Sequence, residues 1–368
     1  MKTILHIIDT TGPGGAETVF IDLATRLPKS NYRGVVIIRG KGWVYDELCR
    51  RGVKPILLDA KGSFNLRYLF GLRRIVLSEG VNIIQSHLLG TNVYCSIVGL
   101  LTGKPVITTF HGAVDISDKE RFLALKFGLL NKGASKIIAV SDSLRNELIS
   151  KTPLKKQKMH VIHNGIDTTA FERQKSNELR QQFGWSQGDI IVGSLGNVRP
   201  AKGYDALLRA AAKLAQGKSR FRFVIAGQGN SNGLYKELLE LKENLELQNQ
   251  VEFLGFVDDP AWFLSNLDLY LLPSISEGFS ISTIQAMASG IPVIVTRSGG
   301  PEEIVTHREN GWIVDRGNPA AIVDGLEFLS TNPEVCADLS KNAKEKVVNV
   351  FSMNAMLEKY EKTYSEFW

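Results

Sequence analysis

The 368-residue chain is poor in cysteine, and its three, Cys49, Cys95 and Cys336, lie far apart with no Cys-x-x-Cys spacing. An odd, scattered set makes neither a disulfide framework nor a zinc site, and it fits a reducing, cytoplasmic compartment. Long apolar runs are lacking too. No stretch approaches the ~20 apolar residues that a membrane span needs. The apolar start over 3–8 is short and interrupted by His6, so it reads as a first buried strand rather than a secretion signal. In the turn Thr11-Gly-Pro-Gly-Gly-Ala-Glu17 the third glycine of a dinucleotide fingerprint is missing, since Glu17 stands there, and so is a Walker lysine. These absences exclude a disulfide scaffold and a membrane-spanning chain, and they count against a dinucleotide oxidoreductase. No resident cofactor and no nucleic-acid partner is expected.

What is present is the make-up of a water-exposed globular protein, with 43% apolar and 22% charged residues, long enough for two domains that each bury a core. Charge is unevenly placed. Residues 1–167 hold 24 Lys and Arg against 13 Asp and Glu, whereas residues 168–368 hold 20 against 25. The basic excess falls at Arg67, Arg73 and Arg74, at 119–136 and at 151–158. In Leu66-Arg-Tyr-Leu-Phe-Gly-Leu-Arg-Arg-Ile75 and Arg121-Phe-Leu-Ala-Leu-Lys-Phe-Gly-Leu-Leu130 the cations are interleaved with Leu and Phe. Such a pattern suits either a core helix with a solvated basic face or docking on an anionic membrane surface.

Short apolar strands alternate with helical patterns. Strands are predicted over 3–8, 34–38, 55–58, 83–86, 105–110 and 136–140, with helices over 16–27, 44–51, 66–78, 91–101 and 143–151. This is the rhythm of right-handed βαβ units and hence of a doubly wound parallel sheet. Val161-Ile-His-Asn-Gly-Ile-Asp167 and the polar stretch after it break the pattern. The rhythm restarts with strands over 190–196, 221–226, 251–254, 269–272, 292–296 and 312–314, and helices over 206–215, 234–245, 281–288 and 320–329. An amphipathic helix follows over 355–368. The division is 1–165, 166–350 and a closing segment 351–368.

The second half turns on Ser274-Ile-Ser-Glu-Gly-Phe-Ser-Ile-Ser-Thr-Ile-Gln-Ala-Met-Ala-Ser-Gly290. The strand over 269–272 ends at Pro273, and after Phe279 the apolar spacing becomes helical. The chain thus makes a glycine turn onto a helix whose first amides can face an anion or a hydroxyl. Glu277-Gly-Phe-Ser, Gln285-Ala-Met-Ala and Gly290-Ile-Pro-Val resemble the signature of glycosyltransferase family 4. That resemblance implies the GT-B fold: α/β, two Rossmann-like doubly wound parallel-sheet domains facing a central cleft. It also implies a retaining transfer from a nucleotide-sugar to a hydroxyl, and a last helix that crosses back onto the first domain. The family pattern is Glu, seven residues, Glu; here the second carboxylate is replaced by Gln285.

Carried over residue by residue, the resemblance assigns Gly14 and Gly15 to donor phosphate or acceptor approach. His111, at a predicted strand end, is assigned to the donor sugar or the developing charge. His87, also at a strand end, is expected to line the acceptor. Gly196-Asn-Val-Arg199-Pro-Ala-Lys202-Gly203 is the main phosphate signal. A guanidinium and an ammonium aimed at a departing diphosphate stabilise the transition state more than the ground state. Phe256 is placed near the base. Glu277 is expected to accept from sugar hydroxyls, the backbone of Gly278, Phe279, Ser280 and Ile281 to face the donor, and Gln285 to hold the ribose through one acceptor and one donor. The absence of any Asp-x-Asp speaks against the GT-A architecture with its bound metal, so no metal site is expected.

The expected activity is therefore a metal-independent, retaining glycosyltransferase. It would take a UDP-sugar as donor and a glycan or lipid-linked precursor as acceptor, in the cytoplasm or on the inner membrane face. Two other readings stay open at this point: a GT-B epimerase of UDP-N-acetyl sugars, and a silent nucleotide-sugar-binding component of polysaccharide assembly.

Overall fold

The computed structural model describes residues 1–60, 65–112, 122–216, 219–229 and 233–368. The chain forms two compact units, one of Met1–Asn164 with Asn354–Trp368, the other of Gly165–Met353. Most of the terminal helix Met353–Ser365 therefore belongs to the first unit.

The first unit holds a seven-stranded parallel sheet of β1 (Lys2–Ile8), β2 (Tyr32–Ile38), β3 (Ile56–Leu57), β4 (Ile83–His87), β5 (Val106–Phe110), β6 (Lys136–Ala139) and β7 (Met159–Val161), in the order β3-β2-β1-β4-β5-β6-β7. The strands are near-continuous apolar runs because helices cover both faces. On one face Leu5, Ile7 and Val35 pack with Tyr68, Leu72 and Val76; on the other, Ile8 and Val36 meet Phe20 and Leu48. The order reverses between β1 and β4, so the loops after these neighbouring strands diverge and leave a switch-point crevice at their carboxyl ends.

The second unit repeats the plan with six parallel strands: β8 (Ile190–Leu195), β9 (Phe221–Ala226), β10 (Val251–Gly255), β11 (Leu269–Leu272), β12 (Val293–Thr296) and β13 (Trp312–Val314), ordered β10-β9-β8-β11-β12-β13. Val192 pairs with Phe223, and Tyr270 with Val293. Here the switch point lies between β8 and β11. Elements beyond the expected set include the edge strand β7, the short helices Pro260–Ser265 and Pro301–Ile304, and the 18-residue helix Pro333–Val350. Lys119 and Arg121, two of the cations considered for membrane docking, lie outside the described residues. Among those described, no helix is long and apolar enough to cross a membrane.

Candidate functional site

At the switch point of the second unit the turns after β8, β11 and β12 are laced together by their backbones. Ile275 N donates to Ala201 O at 2.7 Å, Glu277 N to Ser298 O at 2.9 Å, and Gly300 N to Glu277 O at 2.9 Å. Glycine makes this approach feasible. A Cβ on Gly203, which sits at φ 62°, would collide with Pro273 O, and one on Gly300 would lie 2.7 Å from Phe279 Cα.

The lacing brings Lys202 and Glu277 together, with Lys202 Nζ 2.6 Å from Glu277 Oε1. Ser274 Oγ donates to the same oxygen at 2.7 Å. Both of these donors sit on Oε1, and Oε2 can accept from a further donor. The Lys202 side chain lies along Gly196, where a Cβ would stand 3.0 Å from Nζ. Tyr204, fully buried, donates to Gly196 O at 2.6 Å and holds that turn. Arg199 stands just before the short 3-10 turn Pro200–Lys202 with its side chain exposed.

After Gly278, Ser280 caps the helix Ile281–Ala288, its Oγ accepting from Thr283 N at 3.3 Å. Tyr270 at the centre of β11 donates to Ser282 Oγ at 2.7 Å and fastens this first turn to the sheet. The Phe279 ring is buried against Phe351, 5.5 Å between centroids, so only its backbone can face the crevice. Ile281 and Gln285, one helical turn apart, share a half-exposed face. Phe256 is exposed but lies just beyond β10, at the sheet edge two strands from β8.

In the first unit, the turn after β1 leads into the helix Gly15–Arg26. Gly14 is its extended N-cap, and a Cβ there would collide with the Glu17 carboxylate, which folds back over the first turn. An anion approaching Gly14 and Gly15 meets that carboxylate first. At the ends of β4 and β5, His87 and His111 form a pair, Nδ1 of the first 2.9 Å from Nε2 of the second, with rings 20° from parallel. Burial pushes the pKa of both well down, that of His111 to about 3, so both are neutral at pH 7. His87 exposes none of its surface. His87, expected to line the acceptor, is thus enclosed in the first unit and stacked against the half-buried His111. Leu88, next in the chain, takes φ 71° and ψ 153°, a region almost confined to glycine.

Sequence reasoning missed Ser274, Tyr204 and the buried partners of the histidine pair. Ser274 lay inside the quoted motif, but nothing in spacing alone distinguishes a serine that orients a carboxylate from a turn residue.

Two family models match the chain, that described as Glycosyltransferase Family 4 over residues 13–170 and that described as Glycosyl transferases group 1 over residues 175–346. An uncharacterised glycosyltransferase of Methanocaldococcus jannaschii is 31% identical over 74% of this chain and 72% of its own length. The N-acetyl-alpha-D-glucosaminyl L-malate synthase of Bacillus anthracis is 26% identical over 82% of this chain and 79% of its own. Among solved structures, Anabaena HepE in complex with UDP-glucose superposes with a TM-score of 0.90 at 23% identity over the full length of both chains. With its two doubly wound parallel-sheet units, this chain has the GT-B fold class and belongs to glycosyltransferase family 4.

Proposed function

We propose that this glycosyltransferase is retaining and metal-independent, and that it moves a sugar from a UDP-sugar to a hydroxyl. The observation that carries the reading is the Lys202–Glu277 pair at the β8/β11 switch point. An ammonium and a carboxylate 2.6 Å apart suit the two ends of a nucleotide-sugar. Lys202, with the exposed Arg199 nearby in the chain, meets the diphosphate. Glu277 Oε2 accepts from a sugar hydroxyl while Ser274 and Lys202 hold Oε1. As the bond from the anomeric carbon to the β-phosphate oxygen breaks, the growing negative charge is met by fixed cations. The acceptor oxygen then bonds the same face, and its proton passes to the departing phosphate. Metal independence rests on these cations and on the lack of an Asp-x-Asp in the sequence.

In this reading the second unit takes the donor, with Gly278, Phe279, Ser280 and Ile281 presenting backbone and Gln285 holding the ribose. Phe256 is left for the base. The first unit takes the acceptor, and His111 faces the sugar. Binding of UDP-glucose by the HepE fold neighbour supports UDP as the nucleotide.

A glycan or lipid-linked acceptor at a membrane surface is supported by the helix Leu66–Ser78. Opposite its buried Tyr68, Leu72 and Val76, it exposes Leu66 and Phe70, each 62% accessible, beside Arg67, Arg73 and Arg74. The adjoining helix Leu89–Thr102 carries exposed Leu100 and Leu101, and the helix Leu123–Gly133 packed on that one carries exposed Leu125. Apolar side chains ringed by cations fit an anionic bilayer. By contrast Lys136, Lys151 and Lys158 are engaged within the protein by Glu366, Glu147 and the carbonyls of Asn131 and Ala134. The malate named for the Bacillus relative favours a second reading, a small hydroxy-acid acceptor drawn by the same positive charge.

The test is a UDP-sugar panel followed by chromatography, with and without acceptor extracts. UDP release that rises with acceptor supports transfer; epimerised sugar without acceptor, or binding without turnover, overturns it. Sedimentation with phosphatidylglycerol vesicles, repeated with Phe70→Glu, tests the membrane face.

A further inference from the structure

The histidine pair is the end of a buried hydrogen-bond chain that starts on the terminal helix. Tyr364, one turn beyond Tyr360, donates its phenol O–H to Gln85 Oε1 at 3.2 Å. Gln85 Nε2 donates to Thr109 Oγ1 at 2.9 Å and lies 3.4 Å from His87 Nε2. His87 Nδ1 then meets His111 Nε2 at 2.9 Å. Gln85, His87, Thr109 and Tyr364 are all fully buried, so water does not scramble the pattern.

The chain has a direction, set at its tyrosine end. Among the described residues the phenol's hydrogen-bond partner is Gln85, and a buried O–H left without an acceptor is costly. If the amide were turned over, its NH₂ would face the phenol and leave that O–H without an acceptor. With the oxygen toward Tyr364, the amide nitrogen faces His87 and makes His87 Nε2 an acceptor. A neutral imidazole carries one proton, so Nδ1 of His87 holds it and donates to His111 Nε2. His111 is then protonated on Nδ1. Low pKa values keep both rings neutral at pH 7, so each has one tautomer to choose.

We propose that Tyr364 and Gln85 are positioning residues that fix the tautomers of His87 and His111, so that His111 carries its proton on Nδ1. The strained Leu88 and the bond from Thr91 Oγ1 to His87 O, at 2.5 Å, hold the end of β4 in the register this needs. Only the catalytic consequence rests on the reading that His111 faces the donor sugar; the tautomer itself does not. The arrangement also makes the terminal helix part of the machinery of the first unit, because the residue that orients the amide comes from its last turns.

The test is long-range ¹⁵N–¹H correlation of the ¹⁵N-histidine-labelled full chain at pH 7.5, which distinguishes Nδ1–H from Nε2–H ring by ring. The expected result is Nδ1–H at both His87 and His111. Tyr364→Phe removes the fixing O–H and should give a mixture. Gln85→Glu presents only acceptors toward His87 and should reverse both rings to Nε2–H. Nε2–H in the parent chain, or tautomers unmoved by Gln85→Glu, overturns the proposal. Turnover is read alongside: kcat should fall about tenfold or more in Gln85→Glu with donor KM held, as for a misdirected proton donor. Reversed tautomers with unchanged kcat would leave the relay standing and remove the contact of His111 with the donor sugar. Loss of kcat with unmoved tautomers would do the opposite.

Discussion

Lys202 and Glu277 lie 75 residues apart in the chain and 2.6 Å apart in space. What joins them is topology: β8 and β11 are neighbours across the strand-order reversal, and their turns are fastened by Ile275 N to Ala201 O. The pair is largely shielded, with side chains 19% and 11% accessible. Each charge satisfies the other, and in the proposed donor complex a diphosphate and a sugar would divide the pair without exposing an unmatched charge.

Replacing Lys202 with alanine therefore separates catalysis from folding. Glu277 keeps Ser274 as a donor, so the stability loss should stay near 1–2 kcal/mol. Turnover should fall about a hundredfold or more, the usual cost of removing a group aimed at developing charge. Calorimetric melting and UDP-release rates measure the two. A variant that turns over like the parent would remove Lys202 from the reaction.

Gln285→Glu puts a carboxylate where the family carries one. An amide offers one acceptor, and a carboxylate makes charge-assisted bonds to both ribose hydroxyls. UDP affinity, measured by titration calorimetry, should rise about tenfold, the equivalent of one such improved bond. Equal affinity for UDP and for its 2′,3′-dideoxy analogue in both proteins would show that position 285 does not reach the ribose.

Acid should destabilise the first unit through histidine. His6, His87 and His111 are held neutral by burial, with pKa values pushed below 6.5, to about 3 for His6 and His111. The unfolded chain takes up protons near pH 6.5 while the folded one does not, so stability is full above that pH and falls below it. Each histidine contributes up to about 1.4 kcal/mol per pH unit. Among the described residues neither ring nitrogen of His6 has a partner, so His6→Leu should stabilise at pH 7 by about 1–2 kcal/mol and by more at pH 5. The difference between variant and parent isolates His6 from Asp9, whose raised carboxyl pKa acts in the opposite sense. Urea midpoints at pH 7.5, 6 and 5 provide the check, and a parent stability independent of pH would refute it.

The strands and glycine turns were legible because they are local: alternation of apolar runs with helical spacing, punctuated by Gly and Pro, marks where a sheet meets a crevice. It marked the turns that carry Lys202 and Glu277, while the roles expected of the two came from the family resemblance of those motifs, and their contact came from the structure. The strand Met159–Val161 was not legible, since three residues between a lysine-rich stretch and an Asn-Gly turn carry too little pattern, and the helix Pro333–Val350 buries only a thin stripe of Leu339, Ala343 and Val347. Gln85 and Tyr364 are 279 residues apart, and no spacing rule links a strand glutamine to a tyrosine on the last helix. His87 was placed at the crevice because strand ends point there; the sequence could not tell that it would be enclosed and stacked against His111.

Gly300 tests whether the lacing of turns matters to the site. Its backbone is ordinary helix, φ −56°, so alanine meets no conformational penalty there. The cost is steric: a Cβ would run into Gly278 O and lie 2.7 Å from Phe279 Cα, both backbone atoms that cannot rotate away. Relief requires the turn after β11 to part from the turn after β12, which strains the bond from Gly300 N to Glu277 O. Overpacking of this kind costs about 1–3 kcal/mol. Gly300→Ala should therefore lower the melting temperature and weaken UDP-sugar binding by about tenfold or more, because Glu277 shifts relative to Lys202. Gly128→Ala is the control: within the helix Leu123–Gly133 its Cβ meets nothing within 4 Å among the described residues, and it should hold or raise stability with donor affinity unchanged. If Gly300→Ala loses stability alone and binds donor like the parent, the two turns need not touch for the site to form.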